Sequence, residues 1–259
     1  MRRSDMMKKG ARKSEILRLL RENESMALHD LARILGISLS TARRDLDELV
    51  EARLVRRRFG SAEIATPPGE EIPYALRAIV CEDEKRRIAR AALDLVQNGE
   101  TIFISSGSTA SEFARLLPGQ RRLTVITNAL RVANVLVDQP GIELIVLGGA
   151  VRPDEQSMHG HLTEWGAQQF RANKMFYGIQ AINLRHGLTH SQVVEVNTDR
   201  VIANSVTEVI VLADHTKFGK IAPVLVLPLS GVHVIVTGQE VAQEIVDGLV
   251  AAQIKVILA

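Results

Sequence analysis

The chain has 259 residues, enough for one large domain or a small one joined to a larger one, and 46% of them are hydrophobic, 24% charged and 3% aromatic. That balance excludes a disordered chain and a collagen-like repeat, and no apolar run reaches the roughly 18 uninterrupted residues of a bilayer span. The formal net charge of +2 conceals a division, because residues 1–60 carry 15 Lys/Arg against 9 Asp/Glu, a formal +6, and residues 61–259 carry 17 against 21, a formal −4. A basic segment lowers the free energy of approach to a polyanion by releasing condensed counterions, so nucleic acid is the first partner to expect. The start, Met-Arg-Arg-Ser-Asp, has no apolar stretch behind it, and the single Cys81 has no partner for an internal disulfide. A reducing, cytoplasmic setting with no membrane attachment is expected.

Ile16, Leu17 and Leu20 recur at helical spacing and predict a first helix over 13–22. Leu28, Leu31, Ala32 and Leu35 predict a second, which stops at Gly36, the residue that best tolerates a left-handed helix end. After the tight turn Gly36-Ile37-Ser38, Ser38 or Ser40 can cap a third helix running to about Ala52, with Ala42, Leu46, Leu49 and Val50 on one face. The opposite side is centred on Arg44, with Ser40 and Thr41 near the N-terminal end and Arg43 on the flank. In a helix-turn-helix these positions enter the major groove, where an Arg fork matches guanine O6 and N7, so Arg44 is expected at a base and Arg43 at the backbone. Leu54 to Ile64 predicts a β-hairpin turning near Gly60, with Arg56, Arg57 and Arg58 on one arm, the pattern of a wing laid over phosphate. Residues 1–65 therefore read as a winged helix-turn-helix domain contacting double-stranded DNA through Ser38, Ser40, Thr41, Arg43, Arg44, Arg56, Arg57 and Arg58. The plainer alternative, a helical bundle with a solvated basic face, does not explain why spacing, turn glycine, serine caps and charge agree.

The phrase Leu31-Ala-Arg-Ile-Leu-Gly-Ile-Ser-Leu-Ser-Thr-Ala-Arg-Arg-Asp-Leu-Asp-Glu-Leu, followed by Arg58-Phe-Gly-Ser-Ala, resembles the signature of the DeoR-type bacterial transcription regulators. The family usually has Gly-Gly-Ala in the wing where this chain has Gly60-Ser61-Ala62.

Thr66-Pro-Pro-Gly-Glu-Glu-Ile-Pro73 has no apolar periodicity and predicts a linker over 66–76 ahead of a second domain over 77–259. Glu84 to Val96 predicts a helix with Ile88, Ala91, Ala92 and Leu95 on one stripe, and Ala110 to Leu117 predicts another. Strand-like apolar runs follow at Thr101–Ile104, Leu123–Ile126, Ile142–Leu147, Lys174–Tyr177, Val209–Leu212, Val232–Val236 and Lys255–Leu258. Such near-continuous runs suggest strands covered on both faces, as in a parallel sheet, so the fold class is α/β. Ligands of open α/β sheets bind beyond the carboxyl ends of the strands. Those positions hold Ser105, Ser106, Gly107, Ser108 and Thr109 at a helix start, then Thr127 and Asn128, then Gly148 and Gly149, then Asp214 and Lys217. Free backbone N–H groups, hydroxyls, amides, a carboxylate and an ammonium together suit a small phosphorylated polyol, whereas each loop alone is ordinary turn chemistry.

These segments also resemble the DeoR family, whose second domain is similar to the sugar-phosphate isomerase and CoA-transferase fold. The resemblance implies a repressor of a carbohydrate or polyol operon that senses a phosphorylated sugar or polyol. It puts the phosphate loop on Gly107, Ser108 and Thr109, the threonine-asparagine pair on Thr127 and Asn128, the double glycine on Gly148 and Gly149, and the aspartate-x-x-lysine-phenylalanine-glycine motif on Asp214, Lys217, Phe218 and Gly219. Two departures stand out: Ser105 occupies a position where the family commonly has aspartate, and, with Glu195 present, Asp199 stands where a lysine is usual. A sugar-phosphate isomerase or deaminase using Lys217, Asp214 and Glu195 is the alternative, although it leaves the basic N-terminal unit without a role. No catalytic residue, cofactor or metal is expected: there is no Walker loop or complete dinucleotide fingerprint, His159-Gly-His161 and His186…His190 read as loop histidines, and Cys81 beside Glu82 and Asp83 reads as inert. A homo-oligomer is expected, since helix-turn-helix proteins commonly dimerise on two half-sites.

Overall fold

Apolar side chains at helical spacing organise the first of the two units into which the chain divides, residues 1–80 and 81–259. In this computed structural model, which describes residues 9–23, 25–51, 54–58, 60–65, 73–117 and 122–259, the first unit begins with α1 (Lys9–Glu22). A short strand β1 (Ser25–Ala27), α2 (Leu28–Leu35) and α3 (Leu39–Glu51) follow. Gly36 ends α2 at φ 64° and ψ 31°, where a Cβ would be strained, and its N–H returns to the Ala32 and Arg33 carbonyls. The strands β2 (Val55–Arg58) and β3 (Ser61–Ile64) form the expected hairpin about Gly60, and β1 adds to its edge in the order β1-β3-β2. That third strand is too short to carry a period-2 signal in the sequence. Ile16, Leu17, Leu20, Leu31, Leu46 and Leu49 close one core, joined by Leu76 of α4 (Tyr74–Ile79). Of the linker expected over 66–76, residues 66–72 lie outside the described residues, and Tyr74 to Leu76 are helical and belong to the first unit. Pro73 opens that helix, and the buried Tyr74 and Leu76 dock it.

The second unit begins with α5 (Glu82–Leu93), β4 (Thr101–Ile104) and α6 (Ser108–Leu116). Next come β5 (Leu123–Thr127), α7 (Leu130–Leu136), β6 (Ile142–Val146), the hairpin β7 (Ala150–Arg152) with β8 (Ser157–His159), and α8 (His161–Gln168). Then follow β9 (Ala172–Gly178), β10 (Ala181–Asn183), β11 (Gly187–His190), α9 (Val193–Ala203) and β12 (Val206–Leu212). The unit closes with β13 (Val224–Leu227), β14 (Val234–Thr237), α10 (Gln243–Ala251) and β15 (Lys255–Leu258). Seven strands make one sheet in the order β15-β14-β12-β9-β4-β5-β6, every pair parallel. Each coincides with or overlaps one of the seven predicted runs, although Leu147 falls past the end of β6 and Val232 and His233 before the start of β14. The small antiparallel sheet β10-β11-β13 and the β7-β8 hairpin were not expected, because three- and four-residue strands leave little periodicity to read.

Alternate residues of the long strands feed two cores. Ile102, Ile104, Phe176, Ile210, Leu212, Val234 and Val236 pack under α5, α6 and α7. Phe103, Met175, Tyr177, Val209, Val211 and Ile235 face the other way, against α8, α9, α10 and the small sheet. The sheet is thus covered on both faces, as the apolar runs imply. Fully buried Phe113 of α6 stacks on Phe176 of β9 with ring centroids 4.2 Å apart. Phe113→Ala is expected to destabilise the protein by about 3–5 kcal/mol, read as a lowered urea midpoint for the second unit's transition.

Candidate functional site

The first candidate surface is the start of α3. The Ser38 hydroxyl caps the helix, accepting the Thr41 N–H at 3.1 Å, and sits 2.9 Å from Ser40 Oγ and 2.8 Å from Thr41 Oγ1. Ala42, Leu46 and Leu49 face the core, which turns Ser40, Arg43 and Arg44 to solvent. Neither Arg43 nor Arg44 makes a hydrogen bond or ion pair among the described residues, so both guanidiniums are available to a partner. The wing arginines differ: Arg56 bonds Glu63 across the hairpin at 2.7 Å, and Arg57 pairs with Asp47 of α3. Arg58 lies at the turn, where its carbonyl accepts from Ser61 Oγ at 2.8 Å. Beneath this face, Asp45 is buried and takes a two-pronged contact from Arg12, Nε at 2.8 Å and the second nitrogen at 3.1 Å. That pair ties α1 to α3. Sequence reasoning passed over Asp45, although its place between Ala42 and Leu46, three residues from one and one from the other, lies on the apolar side.

The second candidate surface is the carboxyl margin of the large sheet. Since all strands run parallel, the order β12-β9-β4-β5-β6 sets the loops after these strands side by side, successive strands lying about 4.8 Å apart. The loop after β4 and the end of β9 touch: Gly178 N–H donates to Ser105 Oγ at 3.1 Å, and a Cβ on Gly178 would lie 3.2 Å from the Ser106 carbonyl. Ser105 Oγ itself donates to the Ser106 carbonyl at 3.0 Å, so this hydroxyl is used within the protein. Thr127 likewise spends its hydroxyl on the Ile104 carbonyl at 2.7 Å and the Ala129 N–H at 3.0 Å. Asn128 donates to the Met158 carbonyl at 2.9 Å, leaving its buried Oδ1 without a hydrogen bond among the described residues. Gly107 opens α6 with no side-chain cap, so the first-turn N–H groups beside Ser108 and Thr109 keep their donors for a ligand.

Gly148 is exposed, with open space where a Cβ would be. Gly149 does something else: a Cβ there would fall 2.0 Å from Thr163 Oγ1 and 2.8 Å from the His159 carbonyl. Close packing against β8 and α8 requires this glycine. Glu195 is buried and paired with Arg152, with His190 Nε2 3.4 Å away. Asp199 accepts the Tyr177 hydroxyl at 2.6 Å. The histidines expected in loops are partly in strands, since His159 and His190 are buried in β8 and β11 and His159 Nε2 lies 2.7 Å from Ser157 Oγ.

At the end of β12, Asp214 is 1% exposed and faces two ammoniums, Lys85 Nζ at 3.7 Å and Lys217 Nζ at 3.9 Å. Burial pushes its carboxyl up, but the Lys217 and Lys85 charges and the Thr216 hydrogen bonds outweigh that, and its pKa is held below the ordinary value. Lys85 is as buried as Asp214. The sequence reading passed over it, yet it precedes Ile88 and Ala89 by three and four residues and so falls on the buried stripe. A lysine on an apolar face was the available signal.

Two sequence profiles match the chain: one described as the DeoR-like helix-turn-helix domain, over residues 12–67, and one as the DeoR C terminal sensor domain, over 80–239. The chain belongs to the DeoR family. Among DeoR-like relatives, the chain is 34% identical to the transcriptional repressor AccR of Agrobacterium fabrum, covering 87% of this chain and 88% of that one. It is 32% identical to the glycerol-3-phosphate regulon repressor of Haemophilus influenzae, over 97% of this chain and 98% of the relative. A solved ribose 5-phosphate isomerase A from Methanocaldococcus jannaschii aligns with a TM-score of 0.40 and 19% identity, over 53% of this chain and 55% of that one. The DeoR helix-turn-helix profile therefore covers the capped α3 and its exposed arginines, and the sensor profile covers the whole row of loops from Ser105 to Lys217.

Asp214 also sets a pH dependence. A carboxyl whose folded pKa is depressed contributes stability that is full above its unfolded value, near 3.9, and is lost as pH falls through the folded value. Asp214→Asn is expected to cost on the order of 3 kcal/mol at pH 7, since it leaves Lys85 buried with one anion fewer. Urea midpoints measured from pH 7 down to pH 3 should show the gap to wild type narrowing only below about pH 4.

Proposed function

We propose that this DeoR-family regulator represses transcription by binding operator DNA through α3 and the wing, and that a small phosphorylated sugar or polyol held at the carboxyl margin of its parallel sheet shifts its DNA affinity. The observation that carries the effector half is the uncapped start of α6 on the same sheet margin as Lys217 and Lys85: donors and cations on one margin favour a phosphate. The relative named for the glycerol-3-phosphate regulon supports a phosphorylated polyol as the class. Linkage supplies the mechanism, since an effector bound unequally by the DNA-competent and incompetent states shifts their populations and is itself bound differently when DNA is present. We further infer a cytoplasmic homo-oligomer acting on paired half-sites. No helix among the described residues is long and apolar enough to cross a membrane.

We infer that the effector is bound and not converted. The carboxylates an isomerase would use as bases are engaged, Glu195 by Arg152 and Asp214 by two lysines, and the lowered pKa of Asp214 makes it a weak base. Asp199, at a position where the family resemblance implies a lysine, makes the proposed site more negative. The effector is accordingly less anionic than the family's usual one, or differs in its hydroxyl pattern, or the pocket is partly degenerate.

Fluorescence anisotropy at physiological salt, with DNA from upstream of the protein's own gene against random DNA, is expected to show a preference of a hundredfold or more. Arg44→Ala should weaken the upstream site by about 10- to 100-fold while changing random DNA by less than about threefold. Equal loss on both would mean that Arg44 touches only phosphate. In calorimetry, Asp199→Asn, which keeps a partner for Tyr177 and removes the charge, should tighten binding of a sugar phosphate that releases the DNA. Unchanged, tight binding would remove Asp199 from the explanation.

A further inference from the structure

Three donors of different chemistry meet where the start of α5 approaches the turn after β12. Cys81 Sγ, a carboxylate oxygen of Glu84 and a ring nitrogen of His215 all lie within 4.8 Å of one another. Glu84 accepts the His215 backbone N–H at 2.7 Å and lies 2.7 Å from Nδ1, which fixes the imidazole against it. Cys81 adopts a left-handed backbone, φ 55°, unusual for a residue with a Cβ, and in that conformation its sulfur reaches the pair. Gly238 leaves room for the carboxylate, since a Cβ there would fall 2.4 Å from Glu84 Oε1 and 2.3 Å from Glu240 Oε2. Glu84 is 4% exposed, whereas the His215 side chain is 39% exposed, so the cluster has a fixed buried wall and an open side for entry.

We propose that Cys81, Glu84 and His215 bind a divalent cation of the zinc class, with a water completing a four-coordinate shell. One sulfur, one nitrogen and one oxygen donor suit a borderline-soft ion; calcium and magnesium prefer oxygen alone. Ligand distances of about 2.0–2.3 Å put tetrahedral donors about 3.5 Å apart, so Cys81 closes inward while the 2.7 Å contact of His215 with Glu84 opens to admit the ion. Burial first, and then the Asp214 and Glu84 charges against the opposing Lys85, push the Cys81 thiol up to about 11, so a bound metal has to displace its proton. The cation takes the place of that thiol proton, which goes to solvent, so affinity rises with pH. An occupied site would tie the start of α5 to the turn that carries Asp214 and Lys217.

The test uses the full chain, stripped with a chelator and titrated with Co²⁺ alone. The expected result is one equivalent bound with a near-ultraviolet thiolate-to-cobalt band, bleached by equimolar Zn²⁺. Cys81 is the single cysteine, so that band can arise from no other residue. Cys81→Ser should abolish it and weaken Zn²⁺ at least tenfold, and His215→Ala should weaken Zn²⁺ about tenfold while keeping thiolate absorption, with circular dichroism confirming the fold of both. A wild-type titration with no thiolate band, or Zn²⁺ affinity unchanged in both variants, would overturn the proposal. Neither result touches the DNA-binding assay, which stands or falls separately.

Discussion

A parallel sheet covered on both faces has no solvent-facing side on which to display chemistry. Both residue sets of the central strands are apolar and buried, so polar function is confined to the strand ends and the loops that leave them. Parallel pairing then gathers every carboxyl end on one margin. The buried ion pair of Lys85 with Asp214 is a product of this confinement. An ammonium under a helix is tolerable only with a countercharge, and the end of β12 is where the fold can supply one.

The first unit meets a different constraint with few residues. Its core is built mainly of leucines, and the orientation of α3 rests, in addition to packing, on the contact of Arg12 with the buried Asp45, beside the Lys13–Glu48 pair. Such a contact has directional demands that apolar packing lacks, and it fixes which side of α3 looks outward. The Ser38 cap and the left-handed Gly36 set where that helix begins.

Long apolar runs and helical stripes were legible, and each of the seven predicted runs contributes a strand to the parallel sheet because burial on both faces leaves a continuous signal. The three-residue strands were not, since β1 is held by the distant β3, and β7, β8 and β10 sit in tight hairpins whose few residues show no period of their own. In the candidate site, sequence order identified the loops but not the use of their atoms. Ser105 and Thr127 carry hydroxyls that look free on paper and are spent on neighbouring strands, and Gly149 serves packing. Lys85, Arg152 and Tyr177 entered only through contacts made across the fold, as did the approach of His215 to Glu84 over 131 residues.

The wing carries three arginines in a row, yet Arg56 and Arg57 already hold carboxylates, Glu63 and Asp47. An arginine that exchanges a carboxylate for a phosphate leaves an anion behind, and that anion then attracts salt cations of its own. Part of the counterion release from DNA is thereby cancelled, so the ionic-strength dependence of binding reports fewer charges than a count of basic residues suggests. In the proposed binding mode, the two acidic partners act as a tare on the wing: they moderate its hold on any stretch of polyanion and leave a larger share of the total affinity to the unencumbered face of α3.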